Sequence, residues 1–312
     1  MKKLLLALVM LAAFASPVNA ESLEVGGLSI SYDAPKGYVL AMDGLYAEIL
    51  TVMKKAMPPD MKIHAMYASK DSDRAFNDNP DAGLDNYLMV TSTSKLDNQL
   101  MSEDDFKEFR EFLSKNHGKL TGSSMQKKVN ESLGGIADGS IQIGSMKSLG
   151  TFDETKTSIS YMALVTQLIN VNGKQVAVEQ GMISTSKLVK GKMLVINQYR
   201  VITSEGEVKQ FQSDAAKVLK SMDFPEGGVS ASKSTISKRR VGSSASTTGG
   251  YISRGLMGAV LGGVIGAGIM YYRKKKRGTT GNPRADKMVD NIDNLKNQAG
   301  EKLGGMFKKK DK

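Results

Sequence analysis

The stretch TSISYMALVTQLINVNGKQVAVEQGMISTSKLVKGKMLVINQYRVI, residues 157–202, decides the fold. It divides into three β-like runs, Thr157 to Val171, Lys174 to Leu188 and Lys192 to Ile202, each rich in β-branched side chains. Asn172-Gly173 tolerates the positive φ that a two-residue hairpin turn demands, and Lys190-Gly191 turns the chain a second time. Strands joined this tightly pair antiparallel in chain order, as a meander. A meander must bury one face, and the following segment supplies a cover. Val208, Phe211, Ala215, Val218, Leu219 and Met222 recur at helical spacing, behind Ser204 and Glu207 in the positions of a capping box.

Upstream, Leu28, Ile30 and Tyr32 alternate as a strand, and Asp33-Ala34-Pro35-Lys36-Gly37 reads as a turn. Leu45 to Met57 reads as a helix stopped by Pro58-Pro59. Lys62 to Ala68 and Tyr87 to Ser92 are further strands. Ser102 opens a helix with Asp105 in capping-box position and with Phe106, Phe109 and Leu113 on one face. Residues 21–224 therefore read as one α/β domain of the α+β kind, an antiparallel β-meander with packing helices.

The opening, a strand followed by Ala34-Pro35-Lys36-Gly37-Tyr38, resembles the start of PsbP-like and DcrB-like periplasmic proteins. The close, a meander and then a helix finishing Val218-Leu219-Lys220-Ser221-Met222-Asp223-Phe224, is also similar to theirs. The resemblance spans residues 25–224. It implies an α/β/α sandwich and a binding or accessory role, with no catalytic set to carry over. The helix before Pro58 and the apolar run near the C-terminus depart from the family pattern.

The 312 residues include 43 Lys and Arg against 32 Asp and Glu. That excess is local. Residues 21–224 hold 23 basic and 26 acidic side chains, whereas residues 273–312 hold 13 and 5. A nucleic-acid binder carries its basic stripe on a folded face, so this distribution argues against nucleic acid and for a membrane surface.

The first 20 residues read as a secretory signal. Lys2 and Lys3 precede the apolar run Leu4 to Ala15, and Val18-Asn19-Ala20 ends in a cleavage pattern. No cysteine exists in the chain to be lipidated, bridged or used as a nucleophile or zinc ligand. Residues 225–250 hold 15 Ser, Thr or Gly in 26 and read as a flexible linker. Residues 251–272 read as a transmembrane helix. Gly255 to Tyr272 are 18 uncharged residues, ~27 Å of helix, edged by Tyr251 and by Tyr271-Tyr272. Arg273, Lys274, Lys275, Lys276 and Arg277 come at once after it, a basic membrane-surface cluster. Within 18 positions there are 4 basic residues before the run and 7 after it, which puts the C-terminus in the cytoplasm. The signal independently puts residues 21–250 outside.

Gly258, Gly262 and Gly266 repeat every four residues, flanked by the parallel row Ala259, Gly263 and Ala267. Small residues at this spacing let two helix backbones approach within a bilayer, so a homo-oligomer or a partner span is expected there, with a plain anchor as the alternative. Beyond it, Asn282-Pro283 opens an amphipathic pattern through Met288, Ile292, Leu295, Ala299, Leu303 and Met306. The basic tail, residues 273–312, is expected to lie on the anionic inner leaflet or against a partner helix.

The search for chemistry returns no catalytic, cofactor-binding or metal-binding set. Gly118-Lys119, Gly173-Lys174 and Gly191-Lys192 lack the serine or threonine of a phosphate loop, and Gly144-Ser145 lacks the second glycine of a nucleophile elbow. His64, in a strand, and His117, at a helix end, are the only histidines and read as structural. Asp71, Asp73, Asp78, Asp81 and Asp85 crowd what reads as an acidic loop, but a calcium frame starting at Asp71 puts Phe76 at its glycine position and Ala82 at its glutamate position. Met53, Met57, Met61, His64 and Met66 are soft donors suited to Cu(I), and read instead as core filling. The expectation is a membrane-anchored, non-enzymatic envelope protein that binds or scaffolds an unknown envelope partner. An unrecognised envelope hydrolase or a ligand sensor signalling through the span stays open.

Overall fold

The computed structural model describes residues 20–79, 84–137, 141–171 and 174–228. In chain order the strands are β1 (Ala20–Val25), β2 (Leu28–Asp33), β3 (Tyr38–Leu40), β4 (Met61–Ser69), β5 (Asn86–Thr93), β6 (Ile141–Phe152), β7 (Ser158–Val171), β8 (Lys174–Val189) and β9 (Lys192–Val201). The helices are α1 (Leu45–Ala56), α2 (Lys70–Asp78), the single turn α3 (Ser94–Asp97), α4 (Glu103–Asn116), α5 (Ser123–Ala137) and α6 (Glu205–Ser221), with a 3-10 turn over His117–Thr121 between α4 and α5.

The meander has four strands, not three. β6, β7, β8 and β9 pair in chain order, and β5, β4 and β3 extend the sheet beyond β9 to give the order β3-β4-β5-β9-β8-β7-β6. Every pairing is antiparallel. The Lys190-Gly191 turn has positive φ at both residues, 48° and 79°, and sets Val189 opposite Lys192. Val171 lies opposite Lys174, and the Asn172-Gly173 connection itself falls outside the described residues.

β6 escapes the sequence pattern for a physical reason. It is an edge strand whose register shifts at Gly144 and again before Gly150, so its side chains do not alternate cleanly. An exposed edge invites pairing with another chain, and α5 blocks it. The Asn130 amide accepts the Ile143 N–H at 2.6 Å and donates to the Ile143 carbonyl at 3.1 Å. Gln126, one turn earlier, donates to the carbonyls of Ile143 and Gly144.

The sheet is covered on both faces. Tyr87 and Met89 of β5 point into the larger core with Ile49 and Met53 of α1, Phe76 of α2, Phe106 and Phe109 of α4, and Val129 and Leu133 of α5. Leu88 and Val90 point the other way, toward the β1–β2 hairpin (Ile30, Tyr32) and the close of the domain (Met222, Phe224). Phe211 and Ala215 of α6 pack on Met162 and Ile183 across the neighbouring strands. Each such large side chain, fully buried, stabilises the fold by ~1.5–3 kcal/mol. The α6 approach needs a bare strand beneath it. A Cβ on Gly181 would stand 2.8 Å from the Phe211 ring.

Two expectations need correction. Asp71, Asp73 and Asp78 are not in a loop but on α2, capped by the Ser69 hydroxyl, which accepts the Ser72 N–H. Ser204 precedes α6 without its side chain capping it. Glu207 instead reaches back past Ser204 to accept the Thr203 N–H at 2.8 Å and the Thr203 hydroxyl at 2.7 Å. These donors hold the Glu207 carboxyl below its usual range. At α4, by contrast, both halves of the box form between Ser102 and Asp105. Ala20, the last residue of the expected signal, lies opposite Asp33 in β1, and the rest of that segment falls outside the described residues.

Candidate functional site

The polar chemistry of the domain collects at one end of the sheet, where β4 and β9 begin and β5 and β8 finish. Four connections meet there: the Gly26-Gly27 turn, α3, the Lys190-Gly191 turn and the β6–β7 connection.

α3 places Asp97 in the interior with its carboxylate 2% exposed. One oxygen takes the Lys62 ammonium at 2.7 Å, and Oδ1 has no hydrogen-bond partner. Lys192, at the first position of β9, is buried and donates its ammonium to the backbone carbonyls of Asp97 and Gln99. A cation at the C-terminal carbonyls of a helical turn satisfies acceptors that the turn leaves open. Burial lowers the Lys192 pKa, and the Asp97 charge opposes that shift. His64 on β4 shares a 2.7 Å hydrogen bond with the Ser92 hydroxyl on β5. Burial lowers its pKa, the Asp97 carboxylate opposing and the Lys62 charge adding.

The chain leaves the domain at this same end. After Phe224 stacks on Tyr32 at 4.8 Å, Glu226 pairs with Lys187 at 3.1 Å and the Gly227 carbonyl accepts the Gly191 N–H at 3.0 Å. Gly228 then sits in a slot where a Cβ would stand 3.0 Å from the Glu103 nitrogen and from Leu188. Arg110 of α4 pairs with Glu154 of the β6–β7 connection at 2.6 Å. That connection is tightened by Thr155, whose hydroxyl oxygen accepts the N–H groups of Thr157 and Ser158.

His117 lies at the end of α4 and shares a 2.7 Å hydrogen bond with Ser148 of β6, whose hydroxyl also accepts the Gly150 N–H. Tyr161 packs against the imidazole at 6.3 Å between ring centres. Burial raises the Tyr161 pKa, and the hydroxyls of Ser148 and Thr121 moderate the rise. Both histidines thus end on serine hydroxyls.

Met53 and Met66 fill the main core, and Met57 is buried. Asp73 accepts the Tyr46 hydroxyl at 2.7 Å and the Asn77 amide at 3.0 Å, and Asp81 is outside the described residues. Gly258, Ala259, Gly262, Gly263, Gly266 and Ala267, and the cluster Arg273, Lys274, Lys275, Lys276 and Arg277, are all outside the described residues. Among the described residues, no helix is long and apolar enough to cross a membrane, and no group of three His, Asp or Glu could hold a metal ion. The exit end was missed at the sequence level. Lys187 and Arg110 are unremarkable in a chain with 43 basic residues, and only pairing across 39 and 44 positions brings Glu226 and Glu154 to them.

No protein-family model and no curated protein matches this sequence. Among solved structures, the chain is similar to the cyanobacterial PsbP protein (CyanoP) of Synechocystis, at 12% identity and a TM-score of 0.32, covering 68% of this chain and 95% of that one. It is also similar to the Saccharomyces cerevisiae Ran-binding protein Mog1p, at 13% identity and a TM-score of 0.25, covering 66% and 93%. A variant of Mog1 gives 13% identity and a TM-score of 0.28. Likenesses of this size transfer no ligand, partner or activity to this chain.

Proposed function

We propose that this is a single-pass membrane protein. Its domain, residues 21–224, stands outside the cytoplasmic membrane as a non-enzymatic binding or scaffold module, an α/β/α sandwich. Residues 225–250 tether it, residues 251–272 cross the lipid, and residues 273–312 lie in the cytoplasm. The Gly258–Gly262–Gly266 ridge packs against a second copy or a partner span, and Arg273 to Arg277 meet anionic headgroups.

One observation carries the reading: the first residues of the tether are held against the domain. Residues 226–228 are held by an ion pair at Glu226, a backbone hydrogen bond at Gly227 and a tight slot around Gly228. Past that point the chain runs through Ser, Thr and Gly and then through 18 uncharged residues. A folded body with a fixed exit, a slack leash and an apolar stretch is the layout of a presented module. Reporter fusions test it. Alkaline phosphatase joined after residue 250 is expected to be active and joined after residue 277 inactive. The opposite pattern overturns the reading.

The two histidine–serine pairs favour a hydrolase as the competing reading. It predicts that a fluorophosphonate probe labels Ser92 or Ser148 stoichiometrically, with loss in His64→Ala or His117→Ala. The module reading predicts no labelling of the folded protein.

A further inference from the structure

One patch of the sheet holds polar side chains that neither the fold nor the reading above uses. In the β7–β8 register Ser158 stands opposite Lys187 and Ser160 opposite Thr185. Strand alternation puts all four on the face that carries Met162 and Ile183. The Leu188 N–H donates to the Thr157 carbonyl at 2.7 Å, so Thr157 and Leu188 form a hydrogen-bonded pair. Ser158–Lys187 and Ser160–Thr185 are then both non-hydrogen-bonded pairs, in which opposed Cβ atoms stand only ~4.5–5.5 Å apart. Ser158, Lys187, Ser160 and Thr185 are 4%, 8%, 2% and 1% exposed.

These groups carry more hydrogens than their partners take. The Thr155 hydroxyl oxygen accepts the N–H groups of Thr157 at 3.2 Å and Ser158 at 2.9 Å, which fills its lone pairs. It therefore spends its own hydrogen on Ser158 Oγ, 2.8 Å away, and the Ser158 hydrogen is left over. Ser160 and Thr185 share a single 2.8 Å hydrogen bond, which uses one of their two hydrogens. The Lys187 ammonium has three N–H groups and gives one to Glu226. Glu226 meets none of the hydroxyls, and with its side chain 64% exposed it is a weak counter-ion for a buried lysine.

A patch that only donates calls for a group that only accepts. One buried cation balances one negative charge, and a dianion such as phosphate would keep an uncompensated charge away from water. A carboxylate has one charge and two oxygens with about four lone-pair sites, enough for the ammonium and the hydroxyls together. We infer that Lys187, Ser158, Ser160 and Thr185 bind the carboxylate of a small organic acid, and that Glu226 is the built-in competitor for it. The enclosure of the patch selects a small acid over the backbone of a partner chain. Glu226 lies at the start of the tether, so a bound acid frees the tether from the domain, and a freed tether strengthens the binding of the acid. The site stands on whichever side of the membrane the domain lies.

The test titrates the full chain in maltoside detergent with acetate at constant ionic strength, read by the amide NMR signals of Leu188 and of Gly191, whose N–H bonds the Gly227 carbonyl. Both signals should shift saturably with one shared affinity, and neutral acetamide should move neither. Lys187→Met should weaken acetate at least tenfold and Ser158→Ala several-fold, and Lys115→Gln, at an exposed position on α4, should leave it unchanged. Glu226→Gln should tighten acetate at least threefold by removing the competitor, an effect that a purely structural role for the Lys187–Glu226 pair does not produce. No saturable shift in either the natural chain or Glu226→Gln, or equal affinities in the two, overturns the site. Phosphate binding tighter than acetate overturns the carboxylate assignment. Binding of a peptide through its terminal carboxylate, with no response to acetate, overturns the small acid.

Discussion

The turn between β1 and β2 offers a controlled pair of substitutions. Gly26 and Gly27 both have positive φ, 56° and 76°, as a two-residue turn with Val25 opposite Leu28 requires. A side chain at either position suffers the left-handed penalty of ~1–2 kcal/mol. Only at Gly26 does it also meet backbone. A Cβ there would stand 1.7 Å from the Asp97 carbonyl oxygen and 3.1 Å from the Lys192 ammonium, whereas Gly27 opens onto empty space. Restoring an ordinary 3.4 Å contact moves the hairpin or α3 by 1.7 Å, the shortfall between the two distances. That displacement pulls at the Lys192 bonds to the carbonyls of Asp97 and Gln99. Overpacking of this kind costs ~1–3 kcal/mol beyond the backbone term. For a domain of this size each kcal/mol lowers the melting temperature by ~2–4 °C. Gly26→Ala should therefore melt ~2–12 °C below Gly27→Ala, followed by circular dichroism on the domain of residues 21–224. If the two variants melt within about a degree of each other, the contact between the turn and α3 is not as described.

The same geometry sets other outcomes. Ser102→Ala should cost ~1 kcal/mol by breaking a complete capping box, whereas Ser204→Ala should be nearly neutral, because the Ser204 side chain caps nothing; chemical denaturation separates them. Lys192→Met should cost ~1.5–3 kcal/mol through two orphaned carbonyls, measured in the same way. His64 is held below its ordinary value of 6.5, so as pH falls through 6.5 the unfolded chain takes up a proton that the folded chain resists. Stability should be full above that pH and decline below it, and urea midpoints of His64→Gln should show a shallower decline.

Much of the fold was legible because it is written in local patterns. β7, β8 and β9 announce themselves by long β-branched runs and glycine turns, and α4 by a cap and three aromatic or aliphatic side chains on one face. β6 was not legible, because two irregularities in register break its alternation and Asn130 and Gln126 satisfy its edge from a helix. β3 has only three residues, Tyr38–Leu40, and is held by pairing to β4, which no local signal reports. α2 was misread because five aspartates look like a solvated loop, while its buried face amounts to Ser72 and Phe76. The exit cluster is made by pairs far apart in sequence and was invisible for that reason. Its members carry no motif, only a shared place.

The most direct measurement is the side of the membrane on which each part stands. Protease added to intact spheroplasts should release the fragment bearing residues 21–224 and leave the lysine-rich C-terminal tail, detected by an epitope after Lys312, protected until the membrane is opened. Digestion of that epitope in sealed cells, with the domain left intact, would contradict the account.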